Sequence, residues 1–294
     1  MAYIDDTSCE AFDGLGVQLL VTGQTDLLVK LATTNFTALP SVIFGGSEAG
    51  FVREVSQTKT PDKRPGALCQ LWVGGTGEKA GLKLYRQLGF RVRQALLTTP
   101  TIAVFNALES DDIFDVTENI GHYGDGFETV GQHHGRTCIS IPLMMGHDFV
   151  IEQKFAYKPG VMGGFLWLYC DTVGHALAIG EKALQVVRDQ GDVSTIFGVC
   201  PSGSKLQGIN YPAYGPTTNH ILCPSLRGTI PDSGVPEGVG AIPEIVVNTF
   251  DLETLKIALK TIILAIQDEE GLLRISSGNF GNQLGQYSIP LNTL

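Results

Sequence analysis

The sequence predicts an α+β protein built from two ferredoxin-like lobes that arose by internal duplication. Each half of the chain reads strand–helix–strand twice, which is the order of the split βαβ unit. Both halves carry their irregular insertion between the second and third strands, at 47–66 and at 201–240. We therefore expect an N-terminal lobe over residues 1–150 and a C-terminal lobe over residues 151–294. An extra hairpin is expected at 121–151, where the two repeats join.

The elements of each half follow from its hydrophobic pattern and its turn residues. The first half is expected to run strand 17–22, helix 24–36, strand 41–46, strand 67–74, helix 77–90 and strand 93–99. The second half is expected to run strand 164–170, helix 172–189, strand 193–199, strand 242–248, helix 251–267 and strand 271–277. Thr172 and Asp251 are suitable N-caps for the two later helices, since their side-chain oxygens accept a backbone N–H of the first turn.

The helix at 251–267 is apolar almost all round. Only a thin polar edge interrupts it, formed by Glu253, Lys256, Lys260 and Gln267. A helix of this kind is covered on most sides. The pattern therefore favours a contact between subunits.

Charge and composition exclude several classes of protein. The 294 residues carry a net charge of −10 and no run of five basic residues, which argues against nucleic acid as a partner. The N-terminal stretch lacks the apolar core of a signal peptide, and Lys256 and Lys260 interrupt the longest apolar segment, at 255–266. The six cysteines are far apart and form no CxxC pair, which suits buried thiols better than a zinc or disulfide framework. We therefore expect a cytoplasmic protein with no membrane segment.

The C-terminal stretch at 275–291 combines glycine with amide and aromatic side chains. Gly278, Gly281 and Gly285 interrupt a strand-like pattern, and glycine weakens a strand unless a bend or a close approach requires it. Two interpretations remain open, a glycine-rich hairpin that closes the sheet and a slot for a flat, hydrogen-bonding ligand. Five residues would line such a slot: Asn279, Phe280, Gln283, Gln286 and Tyr287.

Glu244 is the candidate acid. It lies in the strand-like run at 242–248 and, by alternation, shares a face with Ile242 and Val246. A carboxyl on an apolar face loses hydration, and a carboxyl kept protonated near neutrality donates a hydrogen bond to a developing oxyanion or shuttles a proton. The alternative is an edge glutamate that reaches solvent past its neighbours. Pro243, immediately before it, removes one N–H from the strand ladder.

The two insertions contain candidate anion-binding residues. Ser202, Gly203, Ser204 and Lys205 open the second insertion, and hydroxyls, glycine N–H groups and a lysine suit an anionic group. Arg64, in the first insertion, is a candidate of the same kind. The alternative in both places is a solvated turn.

Glu48 and the polar residues between 122 and 138 are two further places where a site could lie. Glu48 follows a predicted strand end and is either a site residue or an exposed loop acid. The acidic, histidine and cysteine residues between 122 and 138 match no zinc-finger or HExxH spacing, so no metal site is predicted there.

A set of short motifs runs through the whole chain in one order. It consists of TSCEAF at 7–12, GSEAG at 46–50, TPDKRPG at 60–66, TPTIAVFNAL at 99–108, YGDGF at 123–127, GVMGGF at 160–165, SGSK at 202–205, TTNHILCPS at 217–225, PEIVVN at 243–248 and the C-terminal block. In this set and order the sequence resembles the formylmethanofuran:tetrahydromethanopterin formyltransferases, C1-transfer enzymes of methanogenic archaea and of some methylotrophic bacteria. A single motif of this kind is a weak signal, whereas the ordered set is specific.

The resemblance implies a function, its co-substrates and its partners. Members of the family transfer a formyl group between N-formylmethanofuran and N5 of tetrahydromethanopterin, in methanogenesis or in methylotrophic formaldehyde oxidation. The transfer is a direct attack that needs no metal and no prosthetic group, since both substrates are themselves C1 carriers. A homo-oligomer, either a dimer or a tetramer, is expected, and formyl hydrolase subunits are further partners in the bacterial complex.

The resemblance and the residue patterns together assign roles to individual side chains. Glu244 corresponds to a buried glutamate that the family uses in transfer, and it is expected to be catalytic. The expected carrier-binding residues are Glu48, Arg64, Ser202, Gly203, Ser204, Lys205, Thr218, Asn219, Asn279, Phe280, Gly281, Gln283, Gln286 and Tyr287.

Two departures from the family pattern leave other functions open. The family commonly has Gly-Gly-Lys-Leu-Gly where this chain has GNQLG at 281–285, and Cys200-Pro201 replaces part of a glycine-rich stretch. Loss of the lysine removes one contact to the carrier tail. The alternative functions are a non-catalytic scaffold or carrier-binding subunit of a formyltransferase/hydrolase complex, and a ligand-sensing module in which Glu244 would be exposed.

Overall fold

The computed structural model describes residues 1–39, 46–203, 205, 210–211 and 217–294. The strands are β1 Tyr3–Ile4, β2 Ser8–Thr22, β3 Glu48–Val55, β4 Gly66–Gly74, β5 Ala103–Asn106, β6 Ile113–Asp115, β7 Thr129–His133, β8 Arg136–Pro142, β9 Asp148–Glu152, β10 Lys154–Cys170, β11 Ser194–Cys200, β12 Glu244–Thr249, β13 Leu272–Ser276 and β14 Tyr287–Pro290. The α-helices are α1 Asp26–Thr37, α2 Gly77–Arg91, α3 Val173–Gln190 and α4 Leu252–Ile266. The mixed helix-and-sheet class predicted from the sequence is confirmed.

Two compact units divide the chain. The N-terminal unit comprises residues 13–160, and the C-terminal unit comprises residues 1–12 together with residues 161–294. Both boundaries fall within long strands, β2 and β10. The first residues of the chain therefore belong with the C-terminal unit.

The N-terminal unit is a sheet in the order β3-β4-β2-β5-β9-β8-β7. The first four strands pair antiparallel, and β5 pairs parallel with β9. Buried side chains of the sheet and of α1 and α2, such as Leu19, Phe36, Leu71 and Leu84, form one hydrophobic core. The hairpin of β7 and β8 lies within 121–151, as predicted.

Two predictions for this unit are corrected. Residues Val92–Leu96 continue α2 as a π-helix, so the strand predicted at 93–99 is wrong, and the fourth strand is β5. Val92, Ala95 and Leu96 are buried at helical spacing, which explains why this run stays helical. Residues 48–55, expected in the insertion, form β3 instead. The strand predicted at 41–46 lies outside the described residues, except for Gly46.

The C-terminal unit is a sheet in the order β1-β13-β10-β12-β11, and β14 pairs with the first residues of β2. β10, β12, β11 and β13 pair antiparallel, so β12 lies between β10 and β11. Helices α3 and α4 supply buried residues to the same core as these strands. The predicted caps are confirmed: Thr172 accepts the N–H of His175 at 3.2 Å, and Asp251 accepts the N–H of Thr254 at 2.7 Å.

Helix α4 presents two different apolar faces. Leu255, Leu259 and Ile262 are fully buried in the core of their own unit. Ile257 and Leu264 on the other side are each 57% exposed. No helix within the described ranges is both long and apolar enough to cross a lipid bilayer.

Candidate functional site

Glu244 is buried at the start of β12, with 3% of its surface exposed. It lies directly across from Trp167 of β10, and the Trp167 indole Nε1–H donates to Glu244 Oε1 at 3.0 Å. On its other side it is paired with Cys200 of β11, where burial raises the pKa of the thiol. Because β12 is an interior strand, the interpretation of Glu244 as an edge residue that reaches solvent is wrong.

Pro243 does not disturb the strand that carries Glu244. Regular pairing of β12 begins at Glu244, one residue after the proline. The carbonyl of Pro243 still accepts the N–H of Leu168 at 3.0 Å. The proline therefore removes only the one N–H that it lacks opposite Leu168, and the pairing of β12 with β10 is regular from Glu244 to Val247.

Trp167 lines two cavities of the C-terminal unit. The polar cavity, of about 580 Å³, is lined by Trp167, Lys205, Asn219, His220, Asn279 and Phe280, among others. The apolar cavity, of about 400 Å³, is lined by Trp167, Leu177, Val199, Leu222, Ile242 and Pro243, among others. Glu244 is not among the residues that line either cavity. Trp167 therefore contacts the buried carboxyl and also lines the open space.

The polar cavity brings a cation and several hydrogen-bonding groups together. Lys205 Nζ lies 3.0 Å from His220 Nδ1. Asn219 is 8% exposed, and Asp232 contributes an exposed carboxylate to the lining. An ammonium beside an amide and an imidazole can bind a carboxylate through charge-assisted hydrogen bonds.

The C-terminal block contributes to the polar cavity through some of its predicted residues. Asn279 and Phe280 line it, together with Gly278. Gln283 and Gln286 are exposed and lie outside this lining. Gly281 and Tyr287 also lie outside this lining. Gly281 adopts a left-handed turn, and Tyr287 of β14 pairs with Ala11 of β2.

The glycines of this block are explained by close approaches of the chain itself. A Cβ on Gly285 would lie 2.0 Å from the carbonyl oxygen of Ala11, and a Cβ on Gly278 would lie 2.6 Å from the Phe280 ring. Gly281 has a φ of +67°, which an L-residue adopts only with strain. β14 pairs with the start of β2, so this part of the segment extends the sheet, whereas the slot for a flat ligand stays a prediction.

The serine-glycine segment lies at the apolar cavity. Ser202 and Gly203 line it, and Gly203 has a φ of +68°. A Cβ at Gly203 would lie 3.6 Å from Trp167 Nε1, so this backbone runs close to the indole. Ser204 lies outside the described residues. Thr218 is exposed, with its hydroxyl 4.0 Å from Cys223 Sγ.

Glu48 and Arg64 belong to the N-terminal unit. Glu48 is 7% exposed on β3, so the interpretation of an exposed loop acid is wrong. Burial lowers the pKa of Arg91, and the charge of Glu48 partly offsets this effect. Arg64 forms an ion pair with Asp62 at 2.7 Å and donates to the carbonyl of Thr101 at 2.5 Å.

Several residues of the site were missed by sequence reasoning. Trp167, His220 and Asp232 line the polar cavity, and Glu10 holds the loop that forms its wall. Trp167 had a detectable signal, because it is one of two tryptophans in the chain and lies in an apolar strand. Glu10 had a comparable signal, because it is an acid between apolar residues within TSCEAF at 7–12.

Comparison with known proteins identifies the family. The model of the formylmethanofuran-tetrahydromethanopterin formyltransferase family matches residues 1–143, and the model of its proximal lobe matches residues 147–294. The chain belongs to this formyltransferase family. Among the described residues of this family member, no group of three or more His, Cys, Asp or Glu side chains is placed to hold a metal ion.

Similar proteins include both named formyltransferases and proteins called formyltransferase-like. A formyltransferase-like protein of Methanopyrus kandleri is 45% identical, over 98% of this chain and 95% of its own length. Archaeoglobus fulgidus has a formyltransferase-like protein that is 42% identical, over 99% of this chain and 96% of its own. The same organism has a formyltransferase that is 35% identical, over 99% and 97%.

Two solved structures share the fold. The formyltransferase of Methanosarcina barkeri has a TM-score of 0.90 at 34% identity, over 99% of this chain and 98% of its own. The formyltransferase/hydrolase complex of Methylorubrum extorquens, solved with methylofuran, matches with a TM-score of 0.86 at 30% identity, over 99% and 96%.

Proposed function

We propose that this chain transfers a formyl group between N-formylmethanofuran and N5 of tetrahydromethanopterin. The ring N5–H attacks the formyl carbon and a tetrahedral intermediate forms. N5 gives up its proton, the methanofuran nitrogen takes up a proton, and methanofuran leaves as the free amine. Both carriers are substrates, so catalysis consists of positioning them and of stabilising the oxyanion. Family membership over the whole chain supports this reaction.

The buried Glu244–Trp167 pair at the wall of the polar cavity carries the proposal. Glu244 is buried, and its Oε1 accepts a hydrogen bond from the Trp167 indole. A buried carboxyl that is held in place in this way is suited to exchange a proton or to donate a hydrogen bond during transfer. We assign this role to Glu244 and assign the placement of its carboxyl to Trp167.

Lys205, Asn219, Asn279 and Phe280 are proposed to bind the carriers in the polar cavity. Methanofuran carries several carboxylates along its tail, and Lys205 beside His220 supplies the complementary charge. Phe280 and Trp167 offer aromatic surface to a flat ring. The other expected carrier-binding residues keep that role as part of the proposal: Glu48, Arg64, Ser202, Gly203, Ser204, Thr218, Gly281, Gln283, Gln286 and Tyr287.

We also propose that two ferredoxin-like lobes, divided near residue 150, arose by duplication of one split βαβ unit. Their strand orders support this origin. The order β3-β4-β2-β5 in the N-terminal unit and the order β13-β10-β12-β11 in the C-terminal unit both place the first strand of the repeat between the third and the fourth. The first twelve residues are assigned to the C-terminal lobe, in line with the compact units.

A cytoplasmic homo-oligomer, a dimer or a tetramer, is proposed as the working form. The exposed Ile257 and Leu264 on α4 are apolar side chains that a second subunit would cover. A complex with formyl hydrolase subunits is supported by the similarity to the Methylorubrum extorquens complex.

A second candidate function is a carrier-binding or scaffold subunit without transferase activity. The Archaeoglobus fulgidus pair favours it, since this chain is 42% identical to the formyltransferase-like protein and 35% to the formyltransferase. Such a protein would bind a carrier in the polar cavity without turning it over.

Transfer by the purified full chain decides between the two. With formylmethanofuran and tetrahydromethanopterin as substrates, we expect 5-formyl-tetrahydromethanopterin to form, and its formation is measured by chromatography. Glu244→Gln is expected to lower kcat by roughly a hundredfold or more, with KM little changed. Glu253→Gln, at an exposed glutamate of α4, serves as the control with normal kcat. Binding of carriers without transfer by the wild-type chain would favour the scaffold, and a normal kcat in Glu244→Gln would remove Glu244 from the mechanism.

A further inference from the structure

Glu10 is a fully buried carboxylate that binds the C-terminal loop. It lies in the first part of β2, within the C-terminal unit, and has no exposed surface. Its Oε1 accepts the N–H groups of Phe280 at 2.5 Å and of Asn282 at 2.8 Å. Its Oε2 accepts the N–H of Leu284 at 3.1 Å. One side chain thus satisfies three backbone donors of a loop that forms no regular secondary structure.

Three backbone N–H groups of the loop converge on one carboxylate, and we call this arrangement the nest. The loop turns at Gly281 and Asn282, whose φ values are both positive, +67° and +63°. Backbone N–H groups that a turn directs to one side bind anions. In this chain the anion is the carboxylate of Glu10, supplied from the other end of the sequence.

The same loop forms one wall of the polar cavity. Phe280, whose N–H is bound by Glu10, places its ring in that wall, 6.3 Å from the ring of Phe165. Gly278 precedes it and accepts the backbone N–H of Glu10 at 3.4 Å. The position of the wall therefore depends on the carboxylate behind it.

We propose that Glu10 is a positioning residue for carrier binding, an internal anion that holds loop 278–284 in the shape of the polar cavity. The inference rests on the proposed function for its kinetic consequence, but the nest can be tested without substrate. Since Glu10 occupies the three N–H groups, the carrier tail does not bind there, and its carboxylates are left to Lys205.

The first test replaces Glu10 by its neutral isostere. Glu10→Gln keeps the shape but turns an N–H₂ group toward backbone donors, so at least one of the three bonds is lost. We expect faster hydrogen exchange at the amides of Phe280, Asn282 and Leu284, a KM for one carrier raised about tenfold, and kcat changed much less. The control is Asp5→Asn, since Asp5 is also a buried acid but pairs with the Arg274 side chain rather than with backbone N–H groups of the loop. Unchanged exchange and unchanged KM in Glu10→Gln would overturn the proposal.

Chemical rescue separates the nest from a general loss of stability. Acetate has the methyl carbon and carboxylate that Glu10→Ala removes beyond Cβ. We expect acetate, but not acetamide at equal concentration, to restore slow exchange at the three amides and to lower KM toward the wild-type value. A folded Glu10→Ala protein whose amide exchange and KM do not change with acetate would contradict the proposal. If this variant does not fold, the Glu10→Gln result decides. If the wild-type chain shows no transferase activity but its three loop amides exchange slowly, the proposed function is refuted and the role of Glu10 in holding the loop stands.

Discussion

At the scale of single residues, Trp167 connects the buried acid to the place where substrate is proposed to bind. Its N–H donates to Glu244, and its ring lines both cavities of the C-terminal unit. The other tryptophan, Trp72, has no exposed surface and donates to Gln70 at 3.1 Å. The two indoles therefore differ in their access to a ligand.

This difference predicts a fluorescence signal for binding. In Trp72→Phe, where Trp167 is the remaining tryptophan, we expect either carrier to change the emission in a saturable way, because a flat ring placed against the indole alters its surroundings. Titration of the purified variant with each carrier measures the effect. In Trp167→Phe the signal should vanish, and a persistent signal there would show that the carriers bind away from Trp167.

At the scale of elements, the start of α3 carries a titrating pair. His175 Nδ1 lies 2.7 Å from Asp171 Oδ1, across the first turn. The hydrogen bond to Asp171 raises the pKa of His175 above its ordinary 6.5, and the same bond lowers the pKa of Asp171 below its ordinary 3.8. Gly271 is required beside them, since a Cβ there would lie 2.1 Å from His175 Nδ1.

The pair predicts a pH-dependent stability. Both groups are charged between the two ordinary pKa values, so the contribution is fully present there, is lost as pH rises through the raised pKa of His175, and is lost again as pH falls through the lowered pKa of Asp171. The Tm difference between wild type and His175→Gln should be largest between the two ordinary pKa values and should shrink as pH rises through the raised pKa of His175. Lys182→Gln, which removes the ion pair to Glu269, should give a flat difference over the same range. A flat difference for His175→Gln would contradict the assignment.

At the scale of the whole molecule, helix α4 packs on the core of the C-terminal unit with one face and offers the other face to the proposed oligomer. Its inner face is buried among the strands of its own unit, while Ile257 and Leu264 lie one heptad apart on the outer face. Exposed aliphatic residues in such a row form a stripe that association would remove from water.

Introducing charge on this stripe is expected to dissociate the oligomer. The double variant Ile257→Glu and Leu264→Glu should elute as a monomer in size-exclusion chromatography with light scattering, at a concentration where the wild type is a dimer or tetramer. Leu31→Glu, on the exposed face of α1, is the control and should keep the wild-type mass. An unchanged mass of the double variant would assign the interface to another surface.

Much of the fold could be predicted from local sequence signals. Thr172 and Asp251 mark helix starts because a cap depends on residues within one turn. Alternation placed Glu244 on a strand, and its burial follows from that strand being interior. The strand predicted at 93–99 was wrong because a short apolar run suits a strand and a buried helical turn equally well. The composition of the C-terminal block suggested Asn279, Phe280, Gln283 and Gln286 equally. The structure places the first two in the lining of the polar cavity and the other two outside it.

By itself, the sequence determined the mixed class, the helix starts, the family and the strand that carries Glu244, since each depends on neighbouring residues or on ordered motifs. Only the tertiary structure decided which side chains surround that acid. Trp167 reaches Glu244 across 77 positions, and Glu10 binds Phe280 across 270. Such contacts are set by which strands become neighbours in the sheet, and that pairing depends on the packing of the entire core rather than on any local pattern.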